Sequence, residues 1–222
     1  MRRDRAAEIT RRRILKVVEQ LLAQGGEDAV SIREICLRAA VTPPTVYHHF
    51  GDKQALIDRV ISDCFVEFDR TMARRRVPAD PVEVLRVGFD RYVEYGVAHP
   101  SHYRLMFQPA HARPTAAGMA SYNKLRSAIA AVDAADRLRA PVDEAAFAYW
   151  SAVHGVTSLL AAGFGHPGDA AVALVRDALI ERLTTVNGKR GRGTTVPSPQ
   201  PSPRGRGGGR GKRDQKEVHH GA

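Results

Sequence analysis

Residues 31–53 read SIREICLRAAVTPPTVYHHFGDK, and the order of caps, turns and apolar positions in this run decides the fold. Ser31 stands three residues before Glu34, the capping-box spacing in which a hydroxyl and a carboxylate each satisfy an orphan backbone donor. The short helix it opens carries Ile32, Ile35, Cys36 and Ala39 on one face. A turn at Ala40-Val41 leads to Thr42, expected to cap a second short helix whose first positions are Pro43 and Pro44, where a missing N–H costs little. That helix ends near His49. Asp52 then caps a longer one, with Leu56, Ile57, Val60, Ile61, Cys64, Phe65 and Phe68 at three- and four-residue spacing. A capped helix, a tight turn and a second short helix make the helix-turn-helix pattern, whose second helix enters the major groove of a duplex.

Working outward, a first helix runs to about Gln24 with Ile9, Ile14, Val17, Val18, Leu21 and Leu22 on one stripe, and Gly25-Gly26 ends it. Downstream, proline-marked entries at Asp80-Pro81, His99-Pro100, Arg113-Pro114-Thr115, Ala140-Pro141 and Pro167-Gly168-Asp169 start further helices. No run sustains a two-residue alternation, so the expected fold is all-α with about nine helices. The last two, predicted over residues 142–162 and 169–186, are apolar over more than half their circumference and so need two partners. The same pair from a second subunit would supply one, giving a homodimer through a four-helix bundle. The expected domains are a helix-turn-helix unit over 1–52, a helical ligand-binding and dimerisation body over 53–187, and a tail over 188–222.

The net charge of +10 is unevenly spread. Residues 1–53 hold 10 Lys and Arg against 7 Asp and Glu, residues 54–187 hold 15 against 15, and residues 188–222 hold 9 against 2. An N-terminal part that meets phosphate and an electrostatically indifferent body fit that distribution. The tail, with PSPQPSP and RGRGGGRGKR, has almost nothing to bury and is read as a disordered basic extension. It leaves a second reading open, a general nucleic-acid-binding protein acting mainly through residues 188–222. Cys36 and Cys64 have no paired-Cys or Cys/His spacing around them and read as small core hydrophobes. Without a signal-peptide core or a long apolar run, a cytoplasmic protein with no membrane partner is expected. No phosphate loop, nucleophile elbow or carboxylate cluster suggests an enzyme, and neither a metal nor another cofactor is implied.

The run from Val46 to Lys53, Val-Tyr-His-His-Phe-Gly-Asp-Lys, with the long helix before it, resembles the DNA-binding domain of the TetR family. The chemistry of the residues points the same way. Thr42, Tyr47 and Lys53 offer hydroxyl and ammonium donors to phosphates at the two ends of the short helix. Thr45 and His48 project toward base edges, Pro43, Pro44 and Thr45 can pack on thymine methyls, and Arg33 can reach a guanine. The resemblance implies DNA contact by Arg33, Pro44, Thr45, Tyr47, His48, His49 and Lys53. Two plainer roles stay open: His49 packing between helices, and Arg33 pairing with Glu34 or another acid. Val41, Val46 and Phe50 are expected in the core. Neither Pro43 nor Pro44 has an N–H for a phosphate, leaving the N–H of Thr45 and side chains for that task.

Two later runs, His99 to Phe107 and Phe147 to Gly155, resemble a subset of TetR-type C-terminal domains, the second carrying a Trp-His-Gly signature at Trp150, His154 and Gly155. This likeness implies an operator-binding repressor, released when a small-molecule inducer occupies a pocket among helices four to eight, and no catalysis. Candidates for the pocket wall are Tyr92, Tyr95, Tyr103, Met106, Phe107, Tyr122, Phe147, Trp150 and His154, with Phe65 and Phe89. Ligand cavities combine aromatic walls with a few polar groups. Each is also an ordinary core residue by type. The spacing of His99, His102, His111 and His154 is not a ligand pattern for a metal.

Overall fold

The computed structural model describes residues 2–73, 78–107 and 115–186, with side chains from Asp4 onward. Among them are the helices α1 (Arg2–Gly25), α2 (Ile32–Ala39), α3 (Pro43–Phe50), α4 (Lys53–Ala73), α5 (Pro81–Ala98), α6 (Pro100–Met106), α7 (Ala116–Ala134), α8 (Val142–Ala161) and α9 (Ala170–Leu183). A 3-10 turn, Gly26–Ala29, joins α1 to α2. The all-α expectation therefore holds for these residues. The helix start at Arg113-Pro114 and the tail lie outside the described residues.

Helix boundaries follow local capping chemistry. Ser31 Oγ accepts from the N–H of Glu34, Asp52 Oδ1 from Ala55, Asp80 Oδ1 from Val82 and Thr115 Oγ1 from Gly118, each filling one of the donors a helix start leaves open. Two expectations need correction. The Glu34 carboxylate does not reach back to Ser31; it takes Arg38 Nε at 2.6 Å, which leaves the capping box half formed. Thr42 occupies the N-cap of α3 but makes no cap bond with its side chain. Its hydroxyl lies 3.0 Å from that of Thr45 instead.

The turn between α2 and α3 is made by Ala40 in the left-handed region, φ 49°, from which the Ala40 N–H bonds the Cys36 carbonyl. A non-glycine residue there costs roughly 1–2 kcal/mol. The cost is offset by the packing the turn permits: Ile35, Ala39 and Val46 are buried together with Ile14, Val18, Leu21 and Leu22 of α1. Ile9, placed on the same stripe by periodicity, is 59% exposed. Val41 and Phe50 are half-buried, and Arg11 covers the Phe50 ring at 5.7 Å.

Helix α5 runs through the middle of the body and packs on α4, α6, α7, α8 and α9. It packs tightly on α8 at Gly96, where a Cβ would lie 2.2 Å from Thr157 Cγ2. Phe89 of α5 meets Tyr149 of α8 edge to face at 5.9 Å, and the Tyr149 hydroxyl donates to the Leu85 carbonyl at 2.6 Å. Arg176 of α9 grips both oxygens of Asp90 on α5, at 2.7 and 2.8 Å. Helix α9 stops at Leu183, short of the expected Val186. Thr184 pairs across a single β-bridge with Leu138, Arg139 N–H donates to Leu183 O, and Thr185 N–H donates to Arg137 O. Cys64 is buried, and burial pushes its thiol up to about 12, as suits a packing residue; Cys36 is half-buried.

Candidate functional site

Helix α3 is held from behind by Val46, which is buried, and presents Thr42, Pro43, Pro44, Tyr47 and His48 to solvent; Thr45 and His49 are half-buried. Tyr47 is 49% exposed. Arg33 lies exposed on α2. Its proposed partner Glu34 is taken by Arg38, which also bonds Gln24. Lys53, at the start of α4, donates to the Glu27 carbonyl at 3.2 Å, and an ammonium so engaged keeps two further protons. Sequence reasoning passed over Leu37, one helical turn after Arg33 and 74% exposed. A leucine leaving the apolar face of so short a helix was the available signal.

From Pro43 to Val46 the backbone of α3 has no open N–H for an anion. Pro43 and Pro44 lack N–H groups, and the N–H groups of Thr45 and Val46 are both spent on the Thr42 carbonyl, at 3.0 and 3.3 Å. The Thr45 N–H, expected to serve phosphate, is thus engaged within the protein.

In the body, α4, α5, α7 and α8, with Met106 and Phe107 at the end of α6, line an open cavity of about 810 Å³. Of the predicted wall residues, Tyr92, Met106, Phe107, Tyr122, Phe147, Trp150 and Phe65 line it. Trp150 meets Tyr122 at 5.7 Å, Phe107 at 6.3 Å and Phe147 at 6.4 Å. Phe89 is not on the wall but packs under Tyr149, which is.

Tyr95, Tyr103 and His154 do not line the cavity. Tyr103 Oη lies 2.6 Å from Nδ1 of His154, and Tyr92 Oη 3.4 Å from the same nitrogen. Burial holds His154 below its ordinary value, which favours the neutral ring, and the Tyr103 hydroxyl also donates to the His154 carbonyl at 3.2 Å. Tyr95 bonds the Cys64 carbonyl and lies 3.3 Å from Nδ1 of His102. Each of these polar tips has a partner within the protein.

Reasoning from sequence missed the polar part of the wall: Asp69 of α4, Arg91 of α5, and Ser121 and Lys124 of α7. No three His, Cys, Asp or Glu side chains gather as metal ligands, and no helix is long and apolar enough to cross a membrane, among the described residues.

The model of bacterial regulatory proteins of the tetR family matches residues 14–60, and that of the tetracyclin repressor-like C-terminal domain matches residues 65–183. The HTH-type transcriptional regulator UidR of Escherichia coli is 36% identical over 76 residues, 34% of this chain and 37% of that protein. The chain therefore spans just over a third of the length of that curated relative. A solved protein from Rhodococcus sp. RHA1 superimposes with a TM-score of 0.67 at 25% identity, covering 79% of this chain and 96% of its own. AibR, solved in complex with isovaleryl coenzyme A and operator DNA, superimposes at 0.58 with 17% identity over 78% of this chain and 97% of its own, a likeness of fold. Since the C-terminal model spans more than half of the 222 residues and the N-terminal one covers the helix-turn-helix, the chain belongs to the TetR family of bacterial regulatory proteins.

Proposed function

We propose that this protein is a homodimeric repressor whose paired α3 helices hold operator DNA and release it when a small-molecule inducer fills the cavity in the body. One observation carries the reading: the face of α3 bearing Thr42, Pro43, Pro44, Tyr47 and His48 is exposed while Val46 anchors its back in the core. In a dimer, two such helices set about one DNA turn apart read base edges in both half-sites. The exposed Phe147 and Leu159 of α8, together with Leu174 and Val175 of α9, supply the apolar surface for pairing two subunits. Gly155 lies between them on α8 with open space above it. Trp150, His154 and Gly155 are the basis for placing the body in the Trp-His-Gly subset, and the cytoplasm is where such a protein meets DNA.

Helix α6 gives the ligand a handle on the reading head. Tyr103 and Met106 of α6, with Phe107, adjoin or form the cavity wall, while His102 of the same seven-residue helix lies 2.9 Å from Glu19 of α1 through Nε2. An occupant that displaces Phe107 therefore strains the link to α1, on which α2 packs.

The test is binding of the purified protein to the intergenic duplex beside its own gene, followed by fluorescence anisotropy. Tyr47→Ala and His48→Ala should weaken binding by tenfold or more while leaving the melting temperature and dimer mass unchanged. Equal affinity of both variants and the parent, or a parent that prefers no duplex over another, would refute the proposal.

A further inference from the structure

Where the DNA-binding unit meets the body, α1, α4, α5 and α6 bring one row of polar groups together. His102 of α6 stands in the middle of it. Its Nε2 lies 2.9 Å from Glu19 Oε1 of α1, and its Nδ1 lies 3.3 Å from Tyr95 Oη of α5. The Tyr95 hydroxyl in turn lies 3.4 Å from the Cys64 carbonyl of α4. Four helices are tied through this one row.

Counting protons along the row separates two states. A neutral imidazole has one N–H and one bare nitrogen, and a phenol has one proton to give. With the ring proton on Nε2, bare Nδ1 and the Cys64 carbonyl both claim the single proton of Tyr95. With it on Nδ1, a lone pair faces the Glu19 carboxylate. Only the doubly protonated ring satisfies every group: Nε2–H donates to Glu19, Nδ1–H donates to Tyr95 Oη, and Tyr95 donates to the Cys64 carbonyl.

The surroundings act on that proton from each packed element. The hydrogen bond to Glu19 holds His102 above its ordinary value, against the effect of burial, and Glu67 of α4 adds a second negative field. Lys16 of α1 acts in turn on Glu19. Burial pushes the Cys64 thiol and the Tyr95 hydroxyl up, so both keep their protons. A second titratable ring, His99, stacks on His102 at 5.6 Å and meets Tyr95 at 4.7 Å. Two α3 helices engage a duplex only at a set separation, and a reading head already fixed to its body gives up less freedom on binding than a loose one.

Resting on the repressor reading above, we infer that the Glu19–His102–Tyr95 row is a proton-operated clasp, which fixes α1 to the body and favours operator binding when both ring nitrogens are protonated, and loosens when one proton leaves.

The full-length protein and the intergenic duplex beside its own gene are followed by fluorescence anisotropy at fixed ionic strength, from about pH 8.5 down to about pH 6. Parent affinity should rise about threefold or more over that span, and His102→Gln, whose amide can hold Glu19 without titrating, should flatten most of the rise. Glu19→Gln should do the same from the other end of the row, whereas His99→Gln should keep the rise. Any proton gained by His48 or His49 of α3 meets phosphate and steepens the salt dependence of binding. A proton gained at the clasp does not, so the salt slopes of the parent and His102→Gln should agree. Amide hydrogen exchange in α1 and α6, corrected for its intrinsic pH dependence, reads the clasp without DNA: protection should grow toward pH 6 in the parent and not in His102→Gln. An affinity that falls with acid, a rise equal in parent and His102→Gln, a rise lost in His99→Gln instead, salt slopes that differ between the two, or equal exchange overturns the inference. A protein that holds its duplex with a pH response indifferent to His102 keeps the repressor reading and loses this one. One that prefers no duplex yet shows the exchange difference loses the repressor reading and keeps the clasp.

Discussion

Replacing Gly96 by Ala should destabilise the body, although alanine is the better helix former. A Cβ at this position would stand 2.2 Å from Thr157 Cγ2 and 3.0 Å from Tyr103 Cδ2, whereas carbon atoms rest at about 3.5–4.0 Å. Thr157 cannot simply turn away: its hydroxyl donates to the Val153 carbonyl at 2.7 Å, and a β-branched side chain in a helix has few rotamers. Helices α5 and α8 must separate instead. Overpacking of this kind costs roughly 1–3 kcal/mol, and the upper part of that range applies because the clash lies close to two backbones. Helix propensity returns about 1 kcal/mol. The net loss of about 2 kcal/mol corresponds to a fall in Tm of about 4–8 °C for a domain of this size. Gly88→Ala on the same helix is the control, since its Cβ would lie 3.4 Å from Tyr149 Oη, an ordinary contact. It should leave Tm unchanged or raise it. Calorimetric melts at one protomer concentration, needed because dimerisation would shift Tm, compare the two. A Gly96→Ala protein that melts at or above Gly88→Ala would refute the close-contact account.

Three further outcomes are expected. Glu19 is held below its ordinary 4.5 and His102 above its ordinary 6.5, each chiefly by their mutual hydrogen bond, so Glu19 adds stability that is lost as pH falls through its lowered value and His102 adds stability lost as pH rises through its raised one. The difference in Tm between the parent and His102→Gln should therefore be widest between pH 4.5 and 6.5 and narrow on the alkaline side; a pH-independent difference would remove the ion pair from the account. Gly155→Trp, placed where the protomer leaves open space, should shift the protein toward monomer in sedimentation without unfolding it, and an unchanged dimer would move the interface elsewhere. Lys53→Ala should weaken duplex binding about equally for every sequence and lower the salt slope by about 1 if the ammonium meets a phosphate; an unaltered slope would leave Lys53 a structural tie to Glu27.

What could be read from sequence was what depends on neighbours along the chain. Ser31, Asp52, Asp80 and Thr115 cap their helices because a cap needs only a donor two or three residues ahead. The exposed face of α3 was legible for a similar reason: Val46 buried and Tyr47 and His48 exposed follow from the period of one short helix. The C-terminus of α9 was not, because Leu138 ends it by pairing with Thr184 from far along the chain. The cavity failed in a more instructive way. Tyr95, Tyr103 and His154 are wall candidates by residue type, yet each has a polar partner in the core and stands off the wall. Asp69, Ser121 and Lys124 lie on two helices and become a group only when α4 and α7 pack, which no periodicity reveals.

The double proline shows how one local choice shapes the chemistry of the whole interface. A helix start ordinarily presents free N–H groups to an anion, adding hydrogen bonds to the favourable dipole. In α3 two of those groups are absent, and the next two are bonded to the Thr42 carbonyl. The hydroxyls of Thr42 and Thr45 lie within hydrogen-bond distance of each other, so in the free protein the N-terminal turn satisfies itself. Phosphate contact must therefore come from side chains that give up or share an internal bond, as Lys53 shares its ammonium with Glu27 O, or from an exposed hydroxyl such as that of Tyr47. What the proline rings give in return is a rigid apolar edge at the tip of the helix, suited to thymine methyls and already fixed before binding. On this account affinity at the tip of α3 depends on base edges more than on backbone charge, and exchanging Pro44 for Ala should raise affinity for all duplexes while reducing discrimination among them.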